Sequence, residues 1–150
     1  MGRTIAKATM VAGTLDILFA IGLAIYFGRG PMNMLRNVAS GPIPPATEWG
    51  VAGSVLGLAV HFVLMAIIVA AFVKFAQLRP AILETPMRWG VAYGVVTYFA
   101  MNWVVLPLRF DSPLPPNSRA IENQLFAHIV LVGIPIALIA ARNLRPRSIA

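Results

Sequence analysis

Four long apolar stretches constrain this chain more than any other feature. They run from Ala8 to Phe27, Trp49 to Val73, Trp89 to Leu108 and Ile121 to Ala141. The hydrocarbon layer of a bilayer is about 30 Å thick and takes about 20 helical residues to cross. A helix pairs its backbone N–H and C=O groups within itself, so it can stand in lipid without unmet hydrogen bonds. Each stretch suits one crossing. The sequence therefore predicts an all-α integral membrane four-helix up-down bundle, with residues 1–150 as a single transmembrane domain. Composition points the same way. The chain is 59% hydrophobic and 11% charged, with mean hydropathy +0.79, whereas soluble domains carry about 25% charged residues.

Local signals punctuate the stretches. Gly28-Arg29-Gly30-Pro31 closes the first. Thr47 is the expected cap of the second, and Thr85 caps the third, with Pro86 at the first helical position where its missing N–H is harmless. Ser118 is the expected cap of the fourth, with Glu122 favoured by the positive end of the helix dipole. The first stretch reads as a retained span. Its apolar core is too long for a signal-peptide h-region, and no small-x-small site follows Tyr26-Phe27.

Short-loop lysines and arginines set the expected orientation. Eight (Arg3, Lys7, Lys74, Arg79, Arg88, Arg142, Arg145, Arg147) belong to one side and four (Arg29, Arg36, Arg109, Arg119) to the other. Both termini are thus expected in the cytoplasm. Trp49 and Trp103 fall in the outer aromatic belt and Trp89 in the inner one. In the first outer loop, Pro31, Met34, Leu35 and Val38 share one helical face, which predicts a short interfacial helix ended by Gly41-Pro42. The loop Asp111–Asn117 is proline-stiffened and too short for a catalytic domain.

Several chemistries are excluded. The chain has no cysteine, so disulfides, thiolate metal sites, Fe–S clusters and cysteine nucleophiles are out. The net charge of +7 is carried by basic residues standing singly at span ends. That pattern suits anionic lipid headgroups and predicts no nucleic-acid partner. The sequence contains no His-Glu-x-x-His, Gly-x-Gly-x-x-Gly, Walker or Ser-His-Asp pattern. A non-enzymatic protein is expected.

Each apolar stretch nevertheless carries one conspicuous polar residue: Asp16, His61, Asn102 and His128. Counted from the nearest cytoplasmic charge at 1.5 Å per residue, His61, His128 and Asn102 lie about 20 Å deep and Asp16 about 14 Å. One shared layer near the midplane is expected. Small residues mark the same faces. Gly50, Gly53, Ser54, Gly57 and His61 follow helical spacing, as do Gly90, Gly94, Tyr98 and Asn102, while Gln124, His128 and Pro135 share a third face. Small-x-x-x-small seams let helices approach closely. Gly53, Gly57, Gly90 and Gly94 are thus expected at helix contacts, with the polar groups turned into the bundle. A partial repeat also aligns His61-Phe-Val-Leu with His128-Ile-Val-Leu, and Gly13 with Gly94. It implies two hairpins related by an axis along the membrane normal.

Three readings of the polar layer follow. It is a structural network in which Asp16 accepts from a histidine and Asn102 bridges. Alternatively, Asp16, His61, Tyr98, Asn102 and His128 line a proton or small-solute pathway. In the third reading His61 and His128 ligate haem b; no other metal or cofactor is expected. The stretches Gly13-Thr-Leu-Asp16, Leu58-Ala-Val-His61-Phe, Met101-Asn102-x-x-Val-Leu-Pro107 and His128-Ile-Val-Leu-Val-Gly133-Ile-Pro135 carry a resemblance. The chain resembles a class of small uncharacterised four-span bacterial inner-membrane proteins. That resemblance implies a bacterial inner membrane and brings no activity or catalytic residue. The expected role is an accessory or interaction component, or a homo-oligomer, working in the bilayer with a membrane-protein partner.

Overall fold

The computed structural model describes residues 1–145; Arg147, counted above among the C-terminal charges, lies outside them. Five α-helical elements follow in order: α1 (Gly2–Tyr26), α2 (Pro31–Ser40), α3 (Gly50–Leu78), α4 (Pro86–Phe110) and α5 (Ser118–Leu144). Four of them, α1, α3, α4 and α5, are long and apolar enough to cross a membrane. Short 3₁₀ turns over Pro44–Glu48 and Pro80–Glu84 lead into α3 and α4. The long helices overrun the apolar stretches because hydrogen bonding continues through the flanking polar residues. α1, for example, already begins at Gly2.

The arrangement is compatible with a four-helix bundle. α1 packs between α3 and α5, and α5 also packs against α4. The ring closes between α3 and α4 through side chains. The Phe72 and Tyr93 rings lie 5.0 Å apart, Phe75 and Trp89 5.7 Å apart, and the Tyr93 hydroxyl donates to the Ile68 carbonyl at 2.6 Å. Ile5 near the start of α1 and Leu144 at the end of α5 pack against one common core cluster, so the start of α1 and the end of α5 meet at the same end of the bundle.

Three helix starts differ from expectation. Asn117, not Ser118, caps α5, its side-chain oxygen accepting from the Ala120 N–H at 2.9 Å. Glu122 is consequently beyond the first turn. Thr47 points its hydroxyl at the Pro44 carbonyl within the 3₁₀ turn, and α3 begins after Trp49 without a side-chain cap. Thr85 precedes α4 but makes no capping bond, although Pro86 does occupy the first turn. In each case the turn ahead of the helix decides which residue reaches the free N–H groups.

The larger difference concerns the glycine seam of α3. A Cβ on Gly57 would run into the Leu35 carbonyl of α2, and one on Gly53 into the Ala46 carbonyl. The seam therefore receives the loop helix rather than another long helix. Ser54 seals the same contact, its hydroxyl donating to the Met32 carbonyl at 3.0 Å. At the other end of α2, Arg109 of α4 donates to the Ser40 carbonyl at 2.7 Å and also to that of Gly41. A guanidinium on the last carbonyls of a helix satisfies free acceptors and complements the negative end of the dipole. Gly90 and Gly94 do line a contact between long helices. A Cβ there would meet Ile134 Cα at 2.7 Å and the His128 carbonyl at 2.5 Å, respectively.

Candidate polar site within the bundle

α1 turns Thr9, Ala12, Gly13, Asp16 and Ile17 along one inward stripe, a spacing set by the helical repeat. Gly13 has no side chain, and that lets α3 come close. A Cβ on Gly13 would meet the Phe62 ring at 2.7 Å. The close approach brings His61 to two groups of α1. Its Nε2 lies 2.9 Å from the Gly13 carbonyl, and its Nδ1 lies 4.0 Å from Asp16 Oδ2. A carbonyl only accepts, so Nε2 carries the hydrogen. Neither partner is sealed off: His61 is 11% and Asp16 23% exposed.

His128 occupies the matching level on α5. Its Nδ1–H donates to the Gln124 carbonyl of its own helix at 2.8 Å, which leaves Nε2 free. Tyr98 of α4 presents its ring edge-to-face to His128, with centroids 6.1 Å apart, and its oxygen accepts from the Trp103 indole at 3.2 Å. Asn102 is buried one turn further along α4, where its amide donates to the Tyr98 carbonyl at 3.2 Å. The expected Asn102 bridge between helices is absent among the described bonds.

Two segments of the long helices widen into π turns, Ala100–Val105 in α4 and Ala127–Gly133 in α5. Leu106 and Ile134 accordingly bond five residues back, to Met101 and Ile129. In each segment a polar side chain serves the carbonyl four residues back: Asn102 at Tyr98, and His128 at Gln124. Pro107 and Pro135 follow the two segments, and each removes one backbone donor. The prolines were visible in the sequence, but the π widening was not. Such widened turns concentrate at functional sites.

The partial repeat has a structural counterpart. Gly13 lies against the turn that carries His61, and Gly94 lies against His128 and Ile129. The two hairpins diverge one turn on. Where the first hairpin has Asp16, the second has Thr97, whose hydroxyl is spent on the Tyr93 and Gly94 carbonyls of its own helix.

α2 covers this layer from the far end. Leu35 rests on Gly57, which precedes His61 by one helical turn, about 6 Å along the axis. Below the layer, toward the chain termini, the interior is filled by Met65, Val69, Phe72, Val132 and Ile136. The polar groups thus lie between an apolar core and a docked helix.

Haem b does not fit these residues. Ligating histidines hold one ring N–H on a carbonyl and offer the other nitrogen to the metal. His128 meets that condition. His61 does not, because its only free nitrogen faces the Asp16 carboxyl. Among the described residues, no group of three or more His, Asp or Glu side chains is placed to hold a metal ion. Compared with protein-family models, curated proteins and solved structures, the chain matches none.

Proposed function

We propose that this chain is a multi-pass protein of the bacterial inner membrane, with both termini cytoplasmic, and that it works without enzymatic chemistry as a proton-linked component for a small solute. One observation carries the reading: the polar layer is left open. Neither Asp16 oxygen, His128 Nε2, the Asn102 amide oxygen nor the Tyr98 hydroxyl hydrogen has a hydrogen-bond partner among the described residues. Polar groups inside a membrane bundle are costly, and a layer serving only helix register gains most when every member is satisfied. Unmet acceptors around a carboxyl and two imidazoles suit a site that exchanges protons or a hydrogen-bonding solute.

A bundle of four long helices has little room for a complete pathway. The component is accordingly read as part of a homo-oligomer or of a complex with another membrane protein. Reconstituted liposomes carrying an internal pH dye test the function. Wild-type protein should dissipate an imposed pH gradient, and Asp16→Asn should abolish that flux while the protein still folds. Unchanged flux in Asp16→Asn would return the layer to a purely structural role, and with it the chain to the role of an accessory component. Orientation has its own test. Reporter fusions at the C-terminus should read cytoplasmic and fusions near Pro115 external; the reverse pattern would invert the topology.

A further inference from the structure

The one hydrogen bond of His61 among the described residues constrains the protons at this site, a step that deepens the proton-linked reading. The Nε2–H of His61 is anchored on the Gly13 carbonyl at 2.9 Å. The ring cannot therefore turn an Nδ1–H tautomer toward Asp16 without giving up that bond, and a neutral ring shows Asp16 a bare Nδ1 lone pair at 4.0 Å. A lone pair facing a carboxylate oxygen is repulsive, and the unpaired anion would be expensive inside an apolar bundle. A protonated carboxyl beside an imidazolium would instead leave an unpaired cation there. Two arrangements avoid both penalties, and each places one proton on one of the two facing atoms, the Asp16 oxygen or Nδ1. The first is a protonated carboxyl beside a neutral ring; the second is a carboxylate beside an imidazolium.

We propose that Asp16 and His61 form a one-proton binding site, selected by the carbonyl of Gly13, which fixes the ring nitrogen that faces the carboxyl. Moving the proton breaks the Asp16 O–H bond and forms His61 Nδ1–H, so the pair stays neutral overall in both arrangements. The neighbouring elements leave this count intact. On α5 the histidine, His128, has its own Nδ1–H held by Gln124. From α4 comes Tyr98, whose oxygen accepts from Trp103. On α2 the one charged group, Arg36, bonds to Asn33 and the Gly50 carbonyl instead.

The chain has two histidines and two aspartates, so selective labelling reads the site directly. Full-length protein carrying ¹⁵N-histidine and ¹³C-aspartate is reconstituted in lipid at pH 7 and read by solid-state NMR. Asp16 and His61 are assigned by their mutual through-space contact, which Asp111, exposed in the loop after α4, cannot make. The expected spectrum shows one proton in total: a protonated carboxyl with an Nε2–H neutral ring, or a carboxylate with an imidazolium. In Asp16→Asn, the His61 ring should be the neutral Nε2–H tautomer, its Nδ1 accepting from the new amide. A carboxylate beside a neutral ring, a protonated carboxyl beside an imidazolium, or an Nδ1–H tautomer would each overturn the proposal. The count is read without any transport. Flux that fails while the count holds refutes only the proton-linked function, and the converse refutes only the one-proton site.

Discussion

At the end of the bundle where α1 starts and α5 ends, α1, α3 and α5 meet through Ala8, Ala12, Val69, Phe72, Val73, Val132 and Ile136, with almost nothing of these side chains left exposed. The only buried side-chain polar atom without a partner among the described residues, the Thr9 hydroxyl oxygen, lies on the same inward stripe of α1. Toward α2 the four long helices bring together a phenol and, partly exposed, a carboxyl and two imidazoles, with several atoms unpaired among the described residues, and α4 and α5 widen into π turns. The contrast separates two ways of building a bundle interior. Dense apolar packing fixes the helices at one end, so the other end can hold groups that do not contribute their full bonding capacity to stability. Sites that must bind and release are drawn from such under-satisfied regions.

Substitutions in the two halves should therefore have unequal effects. Phe72 is among the largest fully buried side chains, so Phe72→Ala should lower unfolding stability in detergent by about 3 kcal/mol. Asp16→Leu, although more drastic chemically, should lower it by only about 1 kcal/mol, since the carboxyl is partly exposed and its nearest partner, His61 Nδ1, stands at 4.0 Å, beyond a hydrogen bond. Equal losses at the two positions would erase the distinction between the halves. Gly94→Leu comes next. Its side chain would be driven into the backbone of His128 and Ile129, and about 2 kcal/mol of overpacking is expected. The same variant should disturb the His128 NMR signals, because the α4–α5 crossing holds that ring in place.

A smaller and more local effect is expected at α2. Gly57→Ala puts a methyl against the Leu35 carbonyl, and should free α2 from α3 at a cost of about 1 kcal/mol. Hydrogen exchange should rise over residues 31–40 while the helices at the termini end keep their protection. Arg109→Ala removes the hold on Ser40 and Gly41; it should speed exchange at the C-terminal turn of α2 with little change in thermal stability. Exchange that rises uniformly in either variant would mean that α2 is integral to the bundle rather than docked on it. The smallest effect should be that of Asn102→Leu. Its amide serves only its own helix, so about 0.6 kcal/mol is expected, in line with typical side-chain hydrogen bonds in membrane bundles. A loss several times larger would point to an interhelical partner for the amide oxygen.

Much of the polar layer could be read before any fold was known. Hydropathy and a fixed rise per residue are properties of a segment by itself, so counting along the chain yields four helices, with His61, His128 and Asn102 about 20 Å deep and Asp16 about 14 Å. The Gly13–Gly94 alignment also carries over, since both glycines face histidine-bearing turns. The partner of each small-residue face was not legible. Gly53 and Gly57 announce a close approach, but nothing in their spacing distinguishes a long helix from the ten-residue α2. Asn102 was read as a bridge because its depth matched. Depth says nothing about azimuth within a widened turn, and its amide went to Tyr98 instead.

Sequence alone thus determined the number of long apolar helices and the residue types available for chemistry, because hydropathy acts on each segment independently. Tertiary structure decided which carbonyl each imidazole holds, where α4 and α5 widen, and that α2 rather than a long helix closes over the site. Those outcomes depend on how backbones approach one another, and a hydrogen bond such as His61 Nε2–H to Gly13 exists only once two helices have been brought together.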